Sequence, residues 1–226
     1  MFFLKRQKIE GVLFDLDGTL VNSEYGYYLS WLEAFKKENI KIDSKEVQSW
    51  SGLSADETAK YIAKKTGNSE IVPLLRRHRA EYFDEMLNQG KIKTKEGAFK
   101  LLSFLQKNKK KAVLATSTYS DRAQPILDYL SLNPYLNDKV FGNEVKYLKP
   151  HPDIYLKASE KINSDPKSLI AIEDSVSGIK AANAAGIPVI YIPDSSFPNR
   201  PKINNLNILY EMSSLNEVHD WLENKI

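Results

Sequence analysis

The 226-residue chain contains no cysteine, which excludes disulfides, thiolate-bound metal clusters and a thiol nucleophile together. It carries little net charge. The 32 basic and 29 acidic side chains leave +3, too small an excess to point to nucleic acid or an anionic membrane. The five-residue run Lys107 to Lys111 suits the negative end of a helix dipole better than a polyanion. Long apolar stretches are also missing, and the longest match buried strands rather than a bilayer span. The start, Met1-Phe2-Phe3-Leu4-Lys5-Arg6-Gln7-Lys8, turns to charge before a signal-peptide core can form, so the expected location is the cytoplasm. The three histidines, His78, His151 and His219, are too scattered for a metal set. No Gly-x-x-x-x-Gly-Lys-Ser/Thr loop, internal repeat or low-complexity tract occurs.

What remains is an ordinary globular composition, 42% hydrophobic and 27% charged, long enough for one large domain or one domain with an insert. Continuous apolar runs at residues 9–15, 111–116, 169–173 and 187–192 fit strands buried on both faces, as in parallel sheets covered by helices. Helical patterns lie between them. Residues 96–108 place Phe99, Leu102 and Leu105 on one stripe, Ser120 precedes a helix reaching Leu130, and residues 153–162 carry Ile154, Leu156 and Ala158. Residues 175–185 are rich in small side chains and stop at Gly186. The alternation predicts an α/β fold with a doubly wound parallel sheet, Rossmann-like in layout. Residues 22–93 interrupt it with helical patterns only: Tyr28, Leu32 and Phe35 at helical spacing, a capping box at Ser54-Ala-Asp-Glu57, and a helix over 70–87. The expected organisation is a core of residues 1–21 and 94–226 with a helical cap of residues 22–93.

The sharpest chemical signal is Asp15-Leu16-Asp17-Gly18-Thr19. A strand ending in Asp-x-Asp directs two carboxylates out of its carboxyl end, where open α/β sheets place their ligands; the bland alternative is an Asp-rich turn. Glu173 and Asp174 end another buried strand and should emerge at the same rim. Two like charges about 4 Å apart cost roughly 4 kcal/mol at an effective dielectric near 20, so such a gathering needs a cation. Hard oxygen ligands suit Mg²⁺, although either acid could instead cap the helix that begins near Ser175. Thr116-Ser117-Thr118 after a strand offers hydroxyls and amides for a phosphate, or helix caps. Lys149 stands on a proline-stiffened segment, Lys149-Pro150-His151-Pro152-Asp153.

In this order the motifs resemble the haloacid dehalogenase (HAD) superfamily, and within it the β-phosphoglucomutase-like branch of phosphatases with an α-helical cap. The resemblance spans about residues 9–192, and its last motif is Ile172-Glu173-Asp174-Ser-Val-Ser-Gly178-Ile. It implies a phosphoric monoester hydrolase, a Mg²⁺-dependent phosphatase acting on a small phosphorylated metabolite such as a sugar phosphate. Asp15 would be the nucleophile that forms an aspartyl-phosphate. Asp17 would act as general acid and then general base. Thr116, Ser117 and Lys149 would hold phosphoryl oxygens, with Thr116 and Lys149 counted among the catalytic groups. The resemblance also implies that Mg²⁺ sits on Asp15, the Asp17 carbonyl oxygen, Asp174 and Glu173, the last directly or through water.

By the same resemblance the cap selects the substrate through the loop Ser49-Trp50-Ser51-Gly52-Leu53-Ser54, with Gly52 and Ser54 as substrate contacts and Trp50 either a contact or a core residue. The alternative activity is a β-phosphoglucomutase-like sugar-phosphate mutase. Mutase-like members usually carry a histidine early in the cap and an arginine just after this loop, where this chain has Tyr27 and Ala55; water as acceptor is the better-supported reading. Asn22 replaces an aspartate common among relatives. A phosphoacceptor switch domain is disfavoured by the helical insert, and a dehalogenase by Asp17, which suits ester protonolysis. The expected partner is the small metabolite alone, with no nucleic acid and no membrane, on a monomer or weak homo-oligomer.

Overall fold

A computed structural model describes residues 9–50, 53, 55–196, 203 and 205–226. Among them, a six-stranded parallel sheet comprises β1 (Gly11–Phe14), β2 (Lys111–Ala115), β3 (Asp138–Val140), β4 (Leu169–Glu173), β5 (Val189–Tyr191) and β6 (Tyr210–Glu211). The spatial order is β3-β2-β1-β4-β5-β6. This is the doubly wound arrangement expected from the sequence. The chain moves outward from β1 on one side, then returns to lay β4 on the other, which makes the carboxyl edge around β1 the topological switch point where such sheets bind ligands.

Burial explains why the central strands read as uninterrupted apolar runs. All four residues of β1 and all five of β4 are buried, with Leu13, Val113, Ala171 and Val189 in one cluster. Gly11 at the start of β1 is required by packing: a Cβ there would stand 2.8 Å from the Lys111 carbonyl oxygen. The covering helices are α5 (Ala98–Lys107), α6 (Ser120–Tyr129), α7 (Asp153–Lys161), α8 (Val176–Ala184) and α9 (Leu215–Glu223). Two apolar stripes differ from expectation. On α5 the buried set is Ala98, Leu101, Leu102 and Leu105, and Phe99 is exposed. On α7 it is Ile154, Tyr155, Ala158 and Ser159, with Leu156 exposed. Both errors are of helix phase: each misassigned residue lies about 100° from its buried predecessor.

The chain divides into two compact units. The sheet unit contains the chain up to Val21 and Thr94–Ser195. The second is built on Asn22–Lys93 and comprises α1 (Ser23–Lys37), α2 (Ser44–Gln48), α3 (Ala55–Thr66) and α4 (Val72–Asn88). Its core packs Trp31, Phe35, Val47, Trp50, Ile62 and Leu75 together. Trp50 meets Trp31 edge-on, with ring centroids 5.9 Å apart, and so belongs to that core. Tyr27 stacks on Phe83 at 4.3 Å and lies beneath the Arg79 guanidinium. Asn22 Oδ1 accepts from the Lys93 amide at 2.7 Å, tying together the two ends of this unit.

Candidate active site

The site begins where β1 ends. The Asp15 amide donates to the Ile172 carbonyl, extending the β1–β4 ladder by one residue. Leu16 is fully buried, as the alternation between Asp15 and Asp17 requires. Gly18 then adopts φ of 84°, a left-handed conformation that favours glycine, and its amide donates to the Val21 carbonyl at 2.8 Å. The amides of Leu20 and Val21 both return to the Leu16 carbonyl. The turn is closed by its own backbone, so the two aspartates rest on a rigid base.

At the neighbouring edge, β4 ends in Glu173 and Asp174, both buried. The following helix is capped by Ser175, whose hydroxyl accepts from the Gly178 amide at 3.0 Å. Glu173 is held from three sides: Lys149 donates to Oε1 at 2.7 Å, the Tyr155 hydroxyl donates to Oε1 at 2.5 Å, and the Ser175 hydroxyl donates to Oε2 at 3.2 Å. Gly178 leaves room for this carboxylate, since a Cβ there would overlap it. Lys149 Nζ also lies 2.6 Å from Asp15 Oδ1, joining β1 and β4 chemistry through one ammonium.

The electrostatics follow from this crowding. Burial raises the Asp15 pKa; Lys149 opposes the rise, Glu173 and Asp17 add to it, and the carboxyl is pushed up to about 8. Burial alone would depress the Lys149 ammonium, but Asp15 and Glu173 outweigh it and hold the pKa above the ordinary lysine range. Burial and the adjacent Glu173 push the Tyr155 hydroxyl well up, so at neutral pH it is a hydrogen-bond donor. Asp15, Glu173 and Asp174 offer carboxylate oxygens within 4.8 Å of one another, an all-oxygen donor set beside a single ammonium.

The loop after β2 carries the hydroxyls. Thr116 is buried, and its Oγ1 accepts from the Thr118 amide at 3.0 Å. Thr118 Oγ1 in turn donates to Asp17 Oδ2 at 2.6 Å. Ser117 Oγ is buried with no hydrogen-bond partner. The structure therefore connects Asp15, Asp17, Thr116, Lys149, Glu173 and Asp174 in one neighbourhood. Gly52 and Ser54 lie outside the described residues. Tyr155, two positions beyond the Lys149–Asp153 motif, is the contact that sequence reasoning passed over; Thr118, in the hydroxyl run offered to a phosphate, meets the Asp17 carboxyl. The histidines stand apart: His78 lies between Glu38 and Glu81, His151 beside Tyr147, and His219 against Phe104.

Comparison with known proteins follows the same lines. The family described as haloacid dehalogenase-like hydrolase matches residues 12–192. A Thermotoga maritima protein named phosphorylated carbohydrates phosphatase is 33% identical over 189 residues, covering 81% of this chain and 84% of its own. Validoxylamine A 7'-phosphate phosphatase of Streptomyces hygroscopicus subsp. limoneus is 33% identical over 176 residues, 77% of this chain and 81% of its own. A crystal structure of a hydrolase from Pseudomonas syringae superposes with a TM-score of 0.79 at 27% identity, covering 95% of this chain and 98% of that one.

Proposed function

The chain belongs to the haloacid dehalogenase-like hydrolases and is a phosphoric monoester hydrolase, and from that membership and the site we propose that it is a Mg²⁺-dependent phosphatase. Its substrate is a small phosphorylated metabolite of the sugar-phosphate type, hydrolysed through an aspartyl-phosphate. The observation that carries the reading is the Lys149 ammonium bridging Asp15 and Glu173 at 2.6 and 2.7 Å. That contact supports reading Asp15 as a carboxylate nucleophile with a cation beside it at the carboxyl edge of the switch-point strand.

The residues suit a hard divalent cation. Three buried carboxylates bring oxygens within 4.8 Å of one another, and their donor atoms are all oxygen, which matches Mg²⁺ in both charge and ligand preference. Asp15, Asp174 and the Asp17 carbonyl oxygen would hold it, with Glu173 contributing alongside its other contacts. When bound, Mg²⁺ offsets the charge on Asp15 and on a phosphoryl group, acting as a Lewis acid. As the ionised carboxylate, Asp15 attacks phosphorus in line. The bond from phosphorus to the ester oxygen breaks, and Asp17 passes its proton to that leaving oxygen. Water then attacks the phosphorus of the aspartyl-phosphate, Asp17 takes the proton back, and Asp15 departs as carboxylate with inorganic phosphate released. Lys149 and the Thr116 and Ser117 groups orient the non-transferred oxygens. Such hydrolyses need up to ~10²¹-fold acceleration, so positioning and charge compensation carry more of it than proton transfer, worth roughly 10²–10⁴.

The test is phosphate release from a panel of sugar phosphates, nucleotides and glycolytic acid phosphates, with and without Mg²⁺. Turnover requires the cation, and Asp15→Asn abolishes it. Wild-type turnover by Asp15→Asn would sink the mechanism.

A further inference from the structure

On the reading that Asp17 is the general acid and base, we infer that Thr118 is the positioning residue that aims the Asp17 carboxylate at the leaving oxygen. The inference starts from one contact, Thr118 Oγ1 donating to Asp17 Oδ2 at 2.6 Å. A hydroxyl donating to a carboxyl oxygen at that distance lies at the short end of O–H···O hydrogen bonds. It restrains the terminal torsion of Asp17, which in an aspartate is broad and weakly restricted by itself. It also separates the two oxygens by role. Oδ2 accepts from Thr118, and the proton handed to the ester oxygen belongs on Oδ1.

An aiming contact is useful only if it is itself held, and the loop bearing Thr118 is fixed on three sides. The Thr118 amide donates to Thr116 Oγ1 at 3.0 Å, closing a local turn. The Thr118 carbonyl accepts from the Gly142 amide at 3.0 Å. Two residues on, the Ser120 amide donates to Asn143 Oδ1 at 2.9 Å. Gly142 is needed for this closeness, since a Cβ there would overlap the Ser117 carbonyl. The loop after β2 is thus fastened to the 3₁₀ turn Gly142–Glu144 that follows β3. The hydroxyl reaches Asp17 from a neighbouring, rigid part of the same sheet edge. Support of this kind is what keeps a catalytic group within a fraction of an ångström of its working geometry.

The consequence depends on the leaving group. An alkoxide leaving from a sugar phosphate needs protonation, whereas a nitrophenolate leaves without it. Thr118→Val keeps the shape and removes the donor. The expected result is a roughly ten- to hundredfold drop in kcat on an alkyl phosphate, a part of the 10²–10⁴ a general acid supplies. KM stays within about twofold, and kcat on p-nitrophenyl phosphate changes less than about threefold on the same grounds. Thr118→Ser, which restores the donor, returns kcat on the alkyl ester to near wild type, and Thr118→Ala repeats the loss should the valine variant not fold. Asp17→Asn is run beside them. If Asp17→Asn shows no leaving-group dependence, the mechanism fails, and this inference with it. If Asp17→Asn shows it and Thr118→Val does not, the inference alone is overturned. A Thr118→Val effect confined to KM, or equal on both esters, also overturns it, because Thr118 would then be a substrate ligand or a purely structural residue.

Discussion

Binding of Mg²⁺ to the metal-free protein should release a proton from Asp15. Burial, with Glu173 and Asp17 adding to it against Lys149, puts the Asp15 pKa at about 8 in the absence of a cation. At pH 7 that carboxyl is about nine-tenths protonated, and a cation that needs its ionised form must displace the proton. The expected stoichiometry is close to one proton per Mg²⁺ at pH 6, about one half at pH 8, and nearly none at pH 9.5. The apparent affinity is then roughly a hundredfold weaker at pH 6 than at pH 9, because each unit below the pKa costs about tenfold. Titration calorimetry in buffers of different ionisation enthalpy reads the proton number directly. The linkage to stability has a definite sign. The folded-state pKa is raised, so this group's contribution is fully present below the unfolded value of 3.8 and is lost as pH rises through about 8. The metal-free protein is accordingly weakened on the alkaline side, and Mg²⁺ raises the melting temperature more at pH 8.5 than at pH 6. Equal binding heats in all buffers at pH 7, corrected for nothing but dilution, would refute this account of Asp15.

Two further substitutions probe the same neighbourhood. Lys149→Met leaves Asp15 and Glu173 buried without their shared ammonium; denaturation of the metal-free protein at pH 7.5 should show a loss of about 3–5 kcal/mol, and kcat should fall by about 10²–10³. A change below about 0.5 kcal/mol, the scale of an ordinary surface substitution, would mean that Lys149 does not pair with Glu173 in solution. Gly178→Ala places a methyl where the Glu173 carboxylate lies, and the expected overpacking cost is about 1–3 kcal/mol, measured by the same denaturation; a neutral alanine would show that Glu173 stands elsewhere.

The legible part of the fold was the part buried on both faces. β1, β2, β4 and β5 lie inside the sheet and their residues are almost all apolar, so their boundaries fall within two residues of the runs in the sequence. The edge strands have no such signature. β3 buries only Val140 of its three residues, and both residues of β6 are exposed, so their ladders are set by neighbours and not by composition. The last helix was different, because its signal was present and overlooked. Ser214 caps α9, accepting from the Glu217 amide, and Leu215, Val218 and Leu222 follow at helical spacing and are buried; this is a Ser-x-x-Glu start ahead of an apolar stripe.

For the site, sequence order located the groups and could not supply their pairings. That acids at two strand ends share a rim follows from a parallel sheet, whatever the loops do. Which hydroxyl meets which carboxylate depends on loop conformation, and Thr118 and Asp17 are 101 positions apart. Glu173 shows why the pairing matters for chemistry. An ionised carboxylate has about four acceptor positions, and Lys149, Tyr155 and Ser175 occupy three of them. One is left, so at most a single ligand bond to a cation is open to Glu173 without breaking a hydrogen bond inside the core. A carboxylate held in this way serves first to fix Lys149 against Asp15, and losing the Tyr155 hydroxyl or the space at Gly178 would disturb Asp15 through that lysine even though neither group contacts Asp15 itself.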